Sequence, residues 1–355
     1  MILAPYFMAF FGLIFLSFFE RYRLLLNGRL PLVVAFLFMV AFTGLRGDVG
    51  TDTSSYLNIF KAINVYEVIL EPCFYYLNKL TYFFGFDFEA FLIIVSIISL
   101  FFYFYSLYKF LGVGLVLAAF LIIYSDTYMY FNLSGLRQGL ALSVVMLAGY
   151  YALHQKFLAF AFLVLLATLF HKTALVAFLY WPLMNFDFSR YLNFFSFSIL
   201  IFLGVGWFSL SGEVVSILER VVNFKGAEMY LSESYNQFSM EAYLNGLIRR
   251  VYPLFFVFLI FRFNLTDLFL KKLFSVYSFG FLFYLLNYPV LQDVTVRLSS
   301  YFLIFESVLV VYMFSKIQHV SNRLIFILVV LFVLLYKLFS YANNPDYNYV
   351  VFSIF

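Results

Sequence analysis

The sequence predicts an all-α polytopic membrane protein with about twelve transmembrane helices. Three observations carry that expectation. Of 355 residues, 65% are hydrophobic, only 11% are charged, and the mean hydropathy is +0.98, well outside the range of soluble globular domains. Apolar runs long enough to cross a bilayer recur from one end to the other, so cleavage of a secretory leader would leave the class unchanged. The lone Cys73 excludes an intramolecular disulfide and a cysteine-based metal cluster. The net charge of +4 is spread singly over loops, which is not the clustered footprint of a nucleic-acid-binding surface.

Spans are expected at about 2–19, 30–45, 88–108, 112–131, 135–153, 157–170, 173–188, 191–210, 247–262, 273–290, 297–314 and 324–341. With Arg21, Arg23 and Arg29 placed in the cytoplasm, as the positive-inside rule favours, each span flips the side. Lys109, Lys156, Arg190, Arg262, Lys271, Lys272, Lys316 and Arg323 then fall at cytoplasmic turns, and most acids fall outside. The same walk puts Arg46, Asp48, Asp52, Glu71, Arg137, His171, Lys172, Arg249, Arg250 and Arg297 on the external side or in the outer half of the membrane. Glu306 lies within a span and needs a partner or a proton. An external, partly basic cavity is the inference.

No fixed-period repeat and no linker divides the chain, so a single transmembrane domain over 1–355 is expected, with external segments at about 46–87 and 211–246. The stretch 53–85 is too polar for a plain span and reads as lying along, or dipping into, the outer face. Thirty tyrosines exceed what interfacial belts need. Some are expected in belts and core, others along a cavity where a sugar ring can stack.

Several short stretches can carry chemistry. In Gly44–Phe60, Arg46 leaves the second span, two glycines and Asp48 make a tight loop, and Thr51-Asp52-Thr53-Ser54 reads as a helix start with a polar cap. That loop can hold an anionic or hydroxyl-rich ligand, or Arg46 can simply pair with Asp48 or Asp52. In SGLRQGLAL, Ser134 is a candidate cap and Arg137 sits in the first turn of a helix, where free N–H groups already favour an anion. A guanidinium adds two parallel donors matched to phosphate oxygens; the alternative is an arginine that snorkels to the interface. His171 ends a long apolar run, where an imidazole can exchange a proton, donate a hydrogen bond or be structural. His154 and His319 lie at cytoplasmic turns.

Arg249, Arg250 and Arg297 interrupt the heads of later spans. Each is costly there, at ~2.5–3.5 kcal/mol on insertion scales, and a shared anion would offset the cost. Asp87 and Glu89 read as acids at a helix start rather than as a divalent-cation site. No phosphate-binding glycine loop, zinc helix or nucleophile elbow is present.

Taken together, LRGDVGTDTSSY (Leu45–Tyr56), EPCFYYL (Glu71–Leu77), LRQGLAL (Leu136–Leu142), FHKTAL (Phe170–Leu175) and RLSSYF (Arg297–Phe302) resemble the EpsG-type branch of the Wzy polysaccharide polymerases. These are bacterial inner-membrane enzymes that extend O-antigen, lipopolysaccharide or exopolysaccharide chains. Thr53 departs from the pattern, since the family often has an aromatic after G-T-D. The resemblance implies a fold related to the C-type membrane glycosyltransferases. It also implies substrates built on undecaprenyl diphosphate, no cofactor and no required metal, and a possible chain-length regulator as partner. On that reading Arg137 and Arg297 grip the diphosphate, with Arg46, Arg249 and Arg250 in support. His171 is the base or hydrogen-bond donor at the acceptor hydroxyl, and Asp52 is the reserve base. A flippase or carrier of lipid-linked saccharide is the alternative, as is a glycan ligase. A flippase would need its cations available from both sides, whereas the candidate arginines are expected on one.

Overall fold

A computed structural model describes residues 4–63, 65, 70–186, 239–261 and 266–351. Among them the regular structure is helical, and extended backbone pairs only in an isolated antiparallel bridge between Arg46 and Val351. The first helices are α1 (Ala4–Arg21), α2 (Arg29–Gly44), α3 (Thr53–Ala62), α4 (Pro72–Phe83) and α5 (Phe88–Leu111). Then come α6 (Val116–Ile123), running on as a π-helix over Tyr124–Asn132, α7 (Leu136–Leu153) and α8 (Phe157–Thr168). A 3-10 helix (Lys172–Leu179) leads into α9 (Tyr180–Leu183), and α10 (Met240–Phe261), α11 (Leu268–Asn287), α12 (Gln292–Leu303), α13 (Glu306–Lys316) and α14 (Val320–Ala342) follow.

Among the described residues six helical stretches are long and apolar enough to cross a membrane: α1, α5, α7, α11, the stretch Gln292–Lys316, and α14. α2 and α8 are apolar but shorter. The chain is thus an all-helical, multi-pass membrane protein. The span expected at 191–210 and most of the segment at 211–246 lie outside the described residues. The stretch 173–188 is not one long α-helix. It opens as the 3-10 helix, where buried Ala174 and Ala177 recur every third residue, the period of that helix. In 53–85, where the sequence is too polar for a plain span, stand the short helices α3 and α4.

The chain divides into two compact units, Met1–Phe178 with Val310–Phe355, and Leu179–Leu309. In the first, α7 is buried on nearly every side and packs against α5, α8 and the π-helix. Tyr56 and Phe60 of α3 and Phe74 of α4 seat on Phe88, Phe91, Leu136 and Leu140. That apolar seat fixes α3 and α4 beside the start of α7, where Arg137 stands. Asp87 caps α5 as the sequence predicts, accepting the Ala90 N–H at 2.9 Å. Several buried or half-buried tyrosines serve the backbone: Tyr6, Tyr124 and Tyr349 donate to the carbonyls of Tyr347, Tyr6 and Phe42.

Two buried charged features were not foreseen. Glu20, near the end of α1, is fully enclosed and accepts the N–H groups of Gly114, Val116 and Leu117 at 2.8, 3.0 and 2.8 Å. It caps α6 from another helix, satisfying the donors that a helix start leaves unpaired. Lys337 of α14 is also fully enclosed, 3.4 Å from Asp126 of the π-helix, which accepts the Tyr341 hydroxyl at 2.8 Å. In the second unit α11 packs against α10 and α12, and Asp267 caps α11 by accepting from Phe269 and Leu270.

Candidate functional site

Four of the five sequence elements singled out above fold into the first unit, and each of the four supplies a residue to one cluster. Glu71 stands in extended backbone with Pro72 opening α4, a residue whose fixed φ and missing N–H suit the first helical position. The Cys73 N–H donates to Leu169 O at 2.9 Å, tying this helix start to the turn that carries His171. Arg137 projects from the first turn of α7 and meets Glu71 Oε2 with Nη1 at 2.9 Å. On the other carboxylate oxygen, Oε1, the Lys172 N–H donates at 3.5 Å. The carboxylate is almost covered, at 8% exposure, whereas Arg137 retains 31%. That asymmetry matters: the cation, not the acid, faces the open side.

Burial works against charge on Glu71, yet Arg137 and His171 together hold its carboxyl below the ordinary carboxylate range. The Tyr56 hydroxyl bonds Arg137 as well, and burial raises its pKa. Arg137 Nε makes no hydrogen bond. The group therefore holds a half-open guanidinium bonded to one carboxylate and one phenol, with its Nε buried and without a hydrogen-bond partner. His171 Nδ1 lies 2.7 Å from Thr173 Oγ1 and 3.4 Å from Thr173 N. When Nδ1 carries the proton and donates to that hydroxyl, the Nε2 lone pair is available as a base; in the other tautomer Nε2–H is a donor.

The Gly44–Thr53 loop is built differently. Arg46 is fully buried and donates to the carbonyls of Thr43 at 2.5 Å and Leu133 at 3.3 Å. Among the described residues it pairs with no carboxylate, neither Asp48 nor Asp52. Its burial pulls its pKa down to about 10, which still leaves it charged at neutral pH. The C-terminal segment covers it: Gly47 N donates to Val350 O at 2.6 Å and Gly50 N to Asp346 O at 2.7 Å. Asp52 precedes α3 but makes no side-chain cap; it accepts the Thr51 hydroxyl at 3.2 Å. Ser134 does not cap α7 either, since Gly135 occupies the cap position and the Ser134 hydroxyl is held 2.6 Å from that of Thr51. This hydroxyl pair fastens the loop to the turn before Arg137.

In the second unit, Arg250 stacks over the Tyr284 ring at 4.1 Å and donates to Gly246 O at 2.9 Å. Arg249 and Arg250 both act on Tyr288, whose pKa burial nevertheless raises. Arg297 pairs with Asp293 one turn earlier on α12 at 2.8 Å. Glu306 finds the partner the sequence could not name, the Tyr252 hydroxyl at 2.5 Å. Arg46, Asp52, Arg137 and His171 thus belong to one unit and Arg249, Arg250 and Arg297 to the other.

Glu71 is the cluster residue that sequence reasoning did not pair with Arg137. Its signal was the E-P pair at the head of a polar segment placed on the same side as Arg137. Among the described residues no three His, Cys, Asp or Glu side chains gather as a metal site.

No curated protein and no solved structure matches the chain significantly. The family model of the EpsG family does match, over residues 29–353, and takes in both arginine-bearing units and the Glu71–Arg137–His171 cluster. With nearly the whole chain covered, the protein belongs to the EpsG family, a Wzy-like polymerase family.

Proposed function

We propose that this chain is a polysaccharide polymerase of the cytoplasmic membrane working on its external face. A growing glycan on undecaprenyl diphosphate is transferred to a hydroxyl of an incoming lipid-linked repeat unit. The observation that carries the reading is the half-open Arg137, paired with covered Glu71 beside His171. Membership of the EpsG family supplies the reaction class.

The acceptor hydroxyl attacks the anomeric carbon of the donor, the bond from that carbon to the diphosphate oxygen breaks, and the diphosphate leaves on its lipid. Negative charge grows on the departing oxygen, and Arg137 is placed to meet it, with one well-aimed donor worth about 3 kcal/mol in comparable sites. Glu71 acts as the resident anion on Arg137 until a phosphate takes its place. His171, oriented by Thr173, removes the acceptor proton or holds the hydroxyl by a hydrogen bond. Asp52 stands in reserve as base. The family resemblance also assigns Arg297 to the diphosphate, with Arg249 and Arg250 in support. Arg46 serves from inside, by fixing the loop that carries Asp52. A fold related to the C-type membrane glycosyltransferases accords with this chemistry, and no metal is required for it.

The test uses the full chain in lipid nanodiscs with lipid-linked repeat units. Wild type should give a ladder of chain lengths. Arg137→Lys should lose most extension, because an ammonium keeps the charge but not the two-donor fork. If His171 is the base, His171→Ala and His171→Gln should fail equally while lipid diphosphate still binds. Activity retained only in the glutamine variant assigns a hydrogen-bonding role. Ladders of wild-type length from all three variants would remove this cluster from the reaction.

A further inference from the structure

We propose that the turn joining α1 to α2 is a binding site for an anionic phospholipid, separate from the Arg137 cluster. Arg23, Arg29 and Lys109, with Asn27 and Tyr108, line a cavity of about 500 Å³ that no carboxylate enters. Three cations around one hollow, two of them exposed arginines, favour an anion there. Arginine forks, a lysine and a phenol hydroxyl are the donor set for a phosphate group.

The fold holds this hollow open at some cost. Arg23, Leu25, Leu26 and Asn27 adopt φ of 52°, 58°, 49° and 55°, the left-handed region that side-chain-bearing residues rarely enter. Gly28 closes the run at φ 79°, where an added Cβ would lie 2.9 Å from Val113 Cγ1 and 3.0 Å from Glu20 O. Glu20, gripping three N–H groups of Gly114–Leu117, locks the end of α1 to the turn after α5. The two backbone segments that line the hollow are thereby fixed against each other. Strain that persists between two locked segments marks a shape with a use.

A lipid, rather than free phosphate, is indicated by what flanks the same turn. Arg21, Tyr22 and Gly114 contribute to a second, largely apolar cavity of about 480 Å³ with Ile14, Phe18 and Ile122 in its walls. Arg21 and Tyr22 line the apolar cavity and the next residue, Arg23, the basic one, so the two flank one turn, which suits a molecule with a phosphate headgroup and a hydrocarbon chain. The site is remote from the proposed chemistry. α2 begins at Arg29 and ends at Gly44, so about 24 Å of helix separates this hollow from Arg46.

Native mass spectrometry of the full chain, supplied with phosphatidylglycerol, phosphatidylcholine or inorganic phosphate, tests the proposal. Wild type should retain phosphatidylglycerol over phosphatidylcholine. A triple variant, Arg23→Gln with Arg29→Gln and Lys109→Gln, should lose roughly a hundredfold in that affinity, from three surface cations, while Arg23→Lys with Arg29→Lys keeps most of it. Should the triple variant not fold, the single Arg29→Gln and Lys109→Gln chains carry the same comparison at about fivefold each. Undiminished phosphatidylglycerol binding in the neutralised chains would overturn the site. Inorganic phosphate binding as tightly as the lipid would overturn the lipid as its ligand.

Discussion

Arg46 and Arg137 stand on either side of one short loop, and they differ in almost everything except residue type. Arg46 is wholly enclosed, bound to two backbone carbonyls and, among the described residues, matched by no acid. Arg137 is about one-third open and paired with a carboxylate on another helix. The first gives two donors to backbone carbonyls, and the second meets a carboxylate and the Tyr56 hydroxyl; the Nε of each has no hydrogen-bond partner. The same side chain is therefore buried scaffold in one place and a half-open candidate for binding in the other, and burial is what separates the two.

That contrast can be broken by experiment. The largest effect belongs to Arg137→Ala, expected to lower chain extension by a hundredfold to a thousandfold with little change in unfolding midpoint. A comparable loss of folded protein would make Arg137 another Arg46. Arg46→Ala should do the reverse, costing roughly 3 kcal/mol of stability by emptying a buried site and stranding the Thr43 and Leu133 carbonyls. Thermal unfolding of purified protein reads this directly, and an unchanged midpoint would show that the loop does not depend on it.

Gly50→Ala probes the joint between the two arginines. Gly50 sits at φ 95°, and a Cβ there would lie 2.4 Å from Leu133 O, so a loss of about 2 kcal/mol is expected. Activity should fall in proportion to folded protein, since the loop places Asp52 and the turn before Arg137. Glu71→Gln is the mildest. With its folded pKa below the ordinary value, Glu71 contributes stability that is present above the unfolded carboxylate pKa. That contribution is lost as pH falls through the folded value. Glutamine should flatten this acid dependence at a cost of about 1 kcal/mol near neutrality. An unaltered acid limb would mean that the pair does not contribute to folding.

How much of this was legible beforehand depends on the kind of signal. The helical membrane class rests on composition and run length, which any local window reports. The cap at Asp87 was legible too, because a cap is a contact between near neighbours in sequence. The cap expected from Ser134 was not formed, since a partner far away in the chain, Thr51, takes its hydroxyl. The span at 173–188 also misled, because apolar composition does not distinguish a 3-10 turn from an α-helix.

By itself the sequence determined that the protein lives in a bilayer, that its cations are rationed, and that LRQGLAL and FHKTAL belong to the pattern that resembles the EpsG family. Tertiary structure alone decided which partner each charge has. Glu71 meets Arg137 across 66 residues, Glu20 caps a helix 94 to 97 residues away, Lys337 reaches Asp126, and Arg46 disappears beneath the C-terminal segment. The physical reason is range. Hydropathy and helix starts are set by neighbouring residues, whereas the fate of a buried charge depends on which distant donor or acceptor the packing brings within 3 to 4 Å.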